Sequence, residues 1–223
     1  EVASSDGSTK TMYDMWIGGE NGVLQTGTNA SGMFAYLTNI EKLDLSKLDT
    51  SYITNMSKMF YMSSGLKSID LSNFDTSNVT NMNGMFWGCS SLPTLDLKTF
   101  NTSKVTDMNN MFAECSNITE LDLSNFTTSK VTNMESMFHA CVSMTELDLS
   151  NFTTAESNLK GMFMYCEKIE ILNIRNFDFQ NVNNYENIFK QIKSNVKIIV
   201  KDNTQKNWLN TNFSNLTNIV VAD

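Results

Sequence analysis

The chain has 223 residues, a length typical of one or two globular domains, and its 16 Lys and Arg against 24 Asp and Glu give a formal charge of −8. This charge argues against sequence-independent binding to nucleic acid or anionic lipid, and a single His removes most His-dependent chemistry. No apolar run reaches the roughly 18 residues of a membrane helix. No signal peptide begins at Glu1, so we expect a mature or excised soluble piece.

The first 32 residues differ from the rest of the chain. Residues 1–11 are rich in Ser, Gly and charged residues, and we expect a loose N-terminal segment. Residues 12–32 are predicted to form an N-terminal cap. Within it, the apolar runs MYDMWI and VLQ flank a Gly- and Asn-rich turn, Gly18 to Gly22, which is typical of a β-hairpin.

Residues 33–200 consist of about six to seven copies of one unit. Met-Phe recurs at steps of 25 or 26 residues, with Ile188-Phe189 as a degenerate last copy: Met33-Phe34, Met59-Phe60, Met85-Phe86, Met111-Phe112, Met137-Phe138 and Met162-Phe163. A Leu-Asp-Leu triplet recurs in step with it, beginning at Leu43-Asp44-Leu45. Both series lose one residue between Thr154 and Leu159, which places a deletion there. A repeat of this length predicts a stack of similar units.

One unit, Leu95 to Thr119, indicates the local structure. Leu95 and Leu97 alternate with Asp96, as in a strand with one buried face. Apolar residues then follow at i, i+3, i+4, i+7 and i+10, a helical stripe: Met108, Met111, Phe112, Cys115 and Ile118. Since one such unit buries little surface alone, we expect the units to stack, with parallel strands about 4.8 Å apart.

Two phrases of the repeat resemble a known family. Cys89-x-x-Leu92-x-x-Leu95-x-Leu97-x-x-Phe100 resembles the leucine-rich repeat, and LSNFDTSNVTNMNGMFWGC, from Leu71 to Cys89, resembles the BspA-like class of bacterial surface proteins. The resemblance implies an α/β solenoid, a right-handed superhelix with a parallel β-sheet on one face and short helices on the other. It also implies a cell-surface or secreted location and a role in adhesion.

Residues 201–223 are predicted to form a C-terminal cap. Asn203 or Thr204 is expected to cap a short helix that carries Trp208 and Leu209, and Ile219–Val221 is expected to add a last strand. With this cap the stack is closed at both ends.

Positions that repeat form columns, and the sheet face carries an acidic one. We call these five residues the acidic column: Asp44, Asp70, Asp96, Asp122 and Asp148. Glu120 and Glu146 add charge to its later half. The column is either an ordinary solvated strand face or a docking surface for a basic partner. A specific calcium site is disfavoured because no Ca²⁺-binding loop motif is present.

A second candidate surface follows Met-Phe in each repeat. Tyr61 and Trp87 lie there on adjacent repeats and could form an aromatic patch that contacts a protein or a sugar, or could fold back on the protein.

Three further columns favour structural roles. Four thiols are expected to be small buried groups rather than a metal or disulfide device: Cys89, Cys115, Cys141 and Cys166. Hydroxyl columns could bind ice or sugars but are expected to satisfy turn backbones: Thr50, Thr76, Thr102, Thr128 and Thr154, with Ser51, Ser77, Ser103 and Ser129 beside them. Asn55, Asn81 and Asn133, with Asp107, are expected to accept hydrogen bonds from unpaired amides at helix starts.

These features predict a non-enzymatic, adhesion-type module that binds a protein, with a host or matrix component as one partner class. No catalytic residue, cofactor or metal site is predicted, because His139 has no nucleophile at a motif spacing and no Gly-rich phosphate loop exists. The alternative is a structural spacer without a ligand or, less favoured, a carbohydrate-binding surface. The oligomeric state is left open.

Overall fold

The computed structural model describes residues 27–222 and four short strands that precede them, β1 (Val2–Ala3), β2 (Thr9–Lys10), β3 (Tyr13–Trp16) and β4 (Leu24–Gln25). The remaining elements are β5 (Ile40–Asp44), β6 (Leu48–Asp49), β7 (Ser68–Ile69), β8 (Glu146–Asp148), β9 (Ile171–Asn173), β10 (Lys197–Val200), α1 (Asn203–Asn212) and β11 (Ile219–Val221). Among these described strands, the pairing is parallel except between β1 and β2.

Successive repeats lie side by side and pair at equivalent positions. The sheets have the strand orders β3-β5-β7 and β11-β10-β9-β8, with β4 pairing β6. A second parallel ladder runs through the Asn column as single bridges, from Asn29 to Asn55 and onward to Asn184. The predicted stacking of parallel units is therefore what the described residues adopt, although the sheets are small.

The core lies between the strand side and the Met-Phe side of each repeat. Phe rings of successive repeats stack with centroids 5.4–5.9 Å apart, in one row: Phe34, Phe60, Phe86, Phe112, Phe138, Phe163 and Phe189. The five residues of the predicted stripe, from Met108 to Ile118, are all fully buried. Each repeat thus buries its apolar residues against its two neighbours, as the composition requires.

The short helices predicted on the Met-Phe side are absent: between residues 27 and 200 the structure has no helix. The segment is a series of turns. Amides alternate between the next repeat and their own turn: Phe112 N–H donates to Met137 O at 2.9 Å, and Met111 N–H donates to Met108 O at 3.1 Å. Asn110 and Glu114 adopt φ of 54° and 59°. Turns spaced four residues apart reproduce the apolar spacing of a helix, which is why the stripe suggested one.

The N-terminal hairpin prediction is wrong for the described strands. β3 and β4 do not pair with each other. Instead, β3 pairs in parallel with β5, and β4 pairs in parallel with β6. They extend the ladders of the following repeat. The predicted turn, Gly18 to Gly22, lies outside the described residues. In the segment 1–11, β1 and β2 pair antiparallel where a loose chain was expected, and its other residues also lie outside the description.

The helix and the strand predicted for residues 201–223 are both present, with one correction. α1 and β11 form as expected, but the N-cap residue is Asp202 rather than Asn203 or Thr204, and its carboxylate accepts from Gln205 N–H at 2.9 Å. The structure also locates the predicted deletion. Buried Ser157 lies next to Val131, whose carbonyl accepts from its hydroxyl, whereas Asn158 pairs with Asn133, so the residue equivalent to Thr132 is missing between Ser157 and Asn158.

Candidate partner-binding surface

All five aspartates of the acidic column are exposed, and two of them, Asp44 and Asp148, are the last residues of β5 and β8. Each carboxylate accepts a hydrogen bond from the backbone N–H two residues later, at 2.8–3.2 Å, which closes a turn at the end of the strand. The carboxylate therefore has a local structural role. Its charge is a separate property, because Asn173 occupies the same position in the next repeat and accepts from Arg175 N–H at 3.4 Å.

Hydrogen bonding also lowers the pKa of part of this column. The pKa of Asp44 lies below its ordinary value of 3.8, chiefly because Ser46 N–H donates to the carboxylate. The pKa values of Asp70 and Asp122 are lowered in the same way, with the hydroxyl of the following serine as the larger cause. These three groups are therefore carboxylates at neutral pH.

Two shallow grooves lie between neighbouring aspartates of the column. One, of about 460 Å³, is lined by Lys42, Leu43, Asp44, Ser46, Ser68, Ile69 and Asp70. The other, of about 400 Å³, is lined by Leu121, Asp122, Leu123, Ser124, Asp148, Ser150 and Asn151. Glu120 and Glu146 are exposed beside the second groove. No aspartate of the column forms an ion pair within the described part of the chain.

The aromatic pair predicted at Tyr61 and Trp87 is in contact. Their rings meet edge to face at 5.2 Å, and Tyr36, which the sequence did not single out, extends the row with a 5.3 Å contact to Tyr61. Tyr61 and Trp87 are half-buried, Tyr36 is 65% exposed, and burial, with a smaller contribution from Tyr36, raises the pKa of Tyr61. The indole Nε1 of Trp87 is buried without a hydrogen-bond partner. Trp87 therefore packs on the protein and Tyr36 provides most of the exposed ring.

The four cysteines are free and buried, as expected. Each thiol donates to the carbonyl of a Phe in the preceding repeat at 3.1 Å. Ser63 occupies the same column and donates to Phe34 O at 2.7 Å. Burial raises the pKa of Cys89 and Cys166 to about 12 and holds Cys115 and Cys141 well above 9.0. Thiols so disfavoured as thiolates are poor nucleophiles and poor metal ligands.

The Thr column joins successive repeats through backbone groups. Thr102 is buried, and its hydroxyl donates to Thr127 O at 3.0 Å while accepting from Thr127 N–H at 2.7 Å. Thr50, Thr76 and Thr128 make the same pair of bonds. The Asn column likewise accepts backbone amides two residues later, although at turns rather than at helix starts. Both columns have the predicted backbone role.

Beyond the acidic column, the sheet face becomes basic. Arg175 occupies the column of Ser124 and Ser150, and Lys197 pairs across β9 with the column of Glu146. Both side chains are exposed. The repeat pattern did not indicate these two residues, because both depart from it. That departure is the signal by which the sequence could have identified them.

A further pocket of about 270 Å³ lies between the last repeat and α1. Trp208 stacks on Phe179 at 4.8 Å, where earlier repeats have the Thr column. Gln205 Nε2 donates to Ile174 O and Phe177 O, as Asn125 and Asn151 do for the equivalent carbonyls of earlier repeats. These contacts close the end of the stack.

The described part of the chain has neither a membrane-spanning helix nor a cluster of metal-binding side chains. None of its helices is long and apolar enough to cross a membrane. No group of three or more His, Cys, Asp or Glu is placed to hold a metal ion in residues 27–222 or the four preceding strands.

Comparison with known proteins places the repeats in a family. No curated protein and no solved structure matches the chain. A family model described as "Mycoplasma protein of unknown function, DUF285" matches residues 28–141 and, in a second overlapping match, residues 92–203. Both matches fall on the repeats, and together they cover most of the sequence. The chain therefore belongs to the DUF285 family.

Proposed function

We propose that the chain is a non-enzymatic, adhesion-type protein-binding module of a bacterial cell-surface or secreted protein. We further propose that its repeats form a right-handed, leucine-rich-repeat-like solenoid of the BspA-like class. The parallel pairing of equivalent positions from residue 29 to residue 184 supports this architecture. So does the match of one family model to two overlapping sets of repeats.

The observation that carries the binding proposal is the exposed acidic column. Its carboxylates stand about 5 Å apart from repeat to repeat and form no ion pair with a described residue. Neighbouring charges at this spacing repel, which makes a basic partner favourable. Because the groove between Asp122 and Asp148 also has Glu120 and Glu146 beside it, we assign this groove as the main contact for a cationic segment of a protein.

The test compares binding to a panel of matrix proteins and Lys-rich peptides before and after D122N/D148N. Asn retains the turn-closing acceptor, as Asn173 does, so the double variant removes charge without removing the local structure. We expect a dissociation constant about tenfold or more higher. The matched control is Asp75→Asn, because Asp75 makes the same bond to Ser77 N–H on the connector, away from the sheet face.

The other outcomes decide between the alternatives. Equal binding by the wild type and D122N/D148N removes the acidic face from the proposal. No saturable binding to any protein or peptide favours a structural spacer. Selective binding to a glycan panel that is lost in Tyr36→Ala favours a carbohydrate surface at the aromatic row.

A further inference from the structure

The sheet face changes sign along the stack of repeats. Its acidic part comprises Glu120, Asp122, Glu146 and Asp148, all exposed. The two repeats that follow present Arg175, Lys197 and Lys201, also exposed. None of these seven side chains forms an ion pair within the described residues. The face therefore carries two unpaired patches of opposite charge.

The boundary between the patches is apolar. In the register of the sheet, Glu146 pairs with Ile171 and Ile171 pairs with Lys197. Ile171, at this boundary, and Ile199, which lies on β10 between Lys197 and Lys201, are only half-buried. Partly exposed apolar side chains among groups of complementary charge are typical of a protein interface.

The order of these patches fits a second copy of the same chain. In a two-fold dimer the same patch is used by both copies, so residue i meets residue j twice. An axis that runs parallel to the strands, between β8 and β9, turns one face onto the other. It carries the acidic repeats of each copy over the basic repeats of the second copy and brings Glu120 of one opposite Lys197 of the other.

We propose that the chain forms a two-fold dimer through this sheet face, with the acidic patch of each copy on the basic patch of the other. The charge complementarity identifies the occupant of the whole face, since a cationic partner that covered both patches would leave Arg175 and Lys197 facing like charge. Ile171, next to the axis, and Ile199, one repeat further out, lose their remaining exposure. The dimer does not rest on the proposed function, although it covers the groove at Asp122 and Asp148.

The experiment is a charge-reversal exchange followed by sedimentation equilibrium. One variant, E120K/E146K, leaves the acidic patch without net charge and places a lysine at position 120, opposite Lys197 of the second copy. The other, R175E/K197E, gives the basic patch a net negative charge and places a glutamate at position 197, opposite Glu120. Neither touches a turn-closing aspartate of the column. Each variant alone should dimerise at least about tenfold more weakly than the wild type, because like charges meet. Their equimolar mixture should recover dimers, since positions 120 and 197 of the facing copies then have opposite charges again. Lys130→Glu is the control, because Lys130 is exposed on the connector.

Thermal unfolding, monitored by circular dichroism, verifies that each variant folds. If one does not fold, Glu146→Gln and Lys197→Gln replace it, and each of these should weaken the dimer. A wild-type chain that remains monomeric at millimolar concentration would overturn the inference. So would variants that dimerise like the wild type, or a mixture that does not recover. Because the assay contains no partner, a monomeric result leaves the proposed function standing, whereas failure of D122N/D148N to alter partner binding leaves the dimer standing.

Discussion

Replacing Thr102 with Val tests whether the buried Thr column joins the repeats. Val has nearly the same shape but can neither donate to Thr127 O at 3.0 Å nor accept from Thr127 N–H at 2.7 Å. Two hydrogen bonds of about 1 kcal/mol each are lost, and leaving their partners unsatisfied adds more. Thr127 is itself exposed, so water can reach part of this region and hold the cost near 2 kcal/mol.

The matched control is Thr102→Ser, which retains the hydroxyl and loses one methyl group at a cost of about 0.8 kcal/mol. Equilibrium urea unfolding measures both variants, with T102V expected to be the less stable. Because a repeat array can unfold in parts, amide exchange at Thr127 gives the local reading. We expect faster exchange in T102V than in T102S. A T102V protein with wild-type stability and wild-type protection at Thr127 would refute the role assigned to this column.

Two other predictions concern the core and the turns. The free energy of unfolding should fall between about pH 9 and pH 12, since an unfolded thiol ionises near 9.0 while Cys89 and Cys166 keep their protons to about 12. The urea midpoint should decline less with rising pH in the Cys115→Ser variant, because one thiol that ionises on unfolding has been removed. Ser63 shows that a serine fits this column, and a decline equal to that of the wild type would contradict the assignment to thiols. In the turns, Gly88→Ala should lower the melting temperature more than Gly84→Ala, and the reverse order would count against the backbone geometry. Both glycines have positive φ, with an expected strain of about 1–2 kcal/mol, but only a Cβ at Gly88 would come within 2.6 Å of the Met62 sulfur.

The sequence predicted the stack because the repeat and its apolar columns report burial directly. It could not distinguish helices from turns, since both place apolar residues at i, i+3 and i+4. The difference lies in hydrogen bonds to the next repeat, such as Phe112 N–H to Met137 O, which no local pattern encodes. Positive φ at Asn110 and Glu114 was equally invisible, because neither is a glycine. The hairpin prediction was wrong for the same reason: the partners of β3 and β4 are distant in sequence.

The candidate surface was predicted in part, at the residues that repeat. The sequence placed the acidic column on an exposed face, but only the structure gives each aspartate a backbone partner. That bond is sufficient to account for Asp or Asn at this position from Asp44 to Asn173, whatever the protein binds. Recurrence of the aspartates is therefore weak evidence for a ligand.

The residues that vary within a fixed repeat are better evidence, because the repeat does not require them. Glu120 and Glu146 occupy a position that is Ser68 and Thr94 in earlier repeats, so a carboxylate there is not needed for folding. Arg175 replaces the serine that follows the aspartate in most repeats. These departures together give the face its acidic and basic patches. If the surface has a specific partner, whether a second copy or another protein, substitutions at these three positions should alter its affinity while leaving the stability of the stack unchanged.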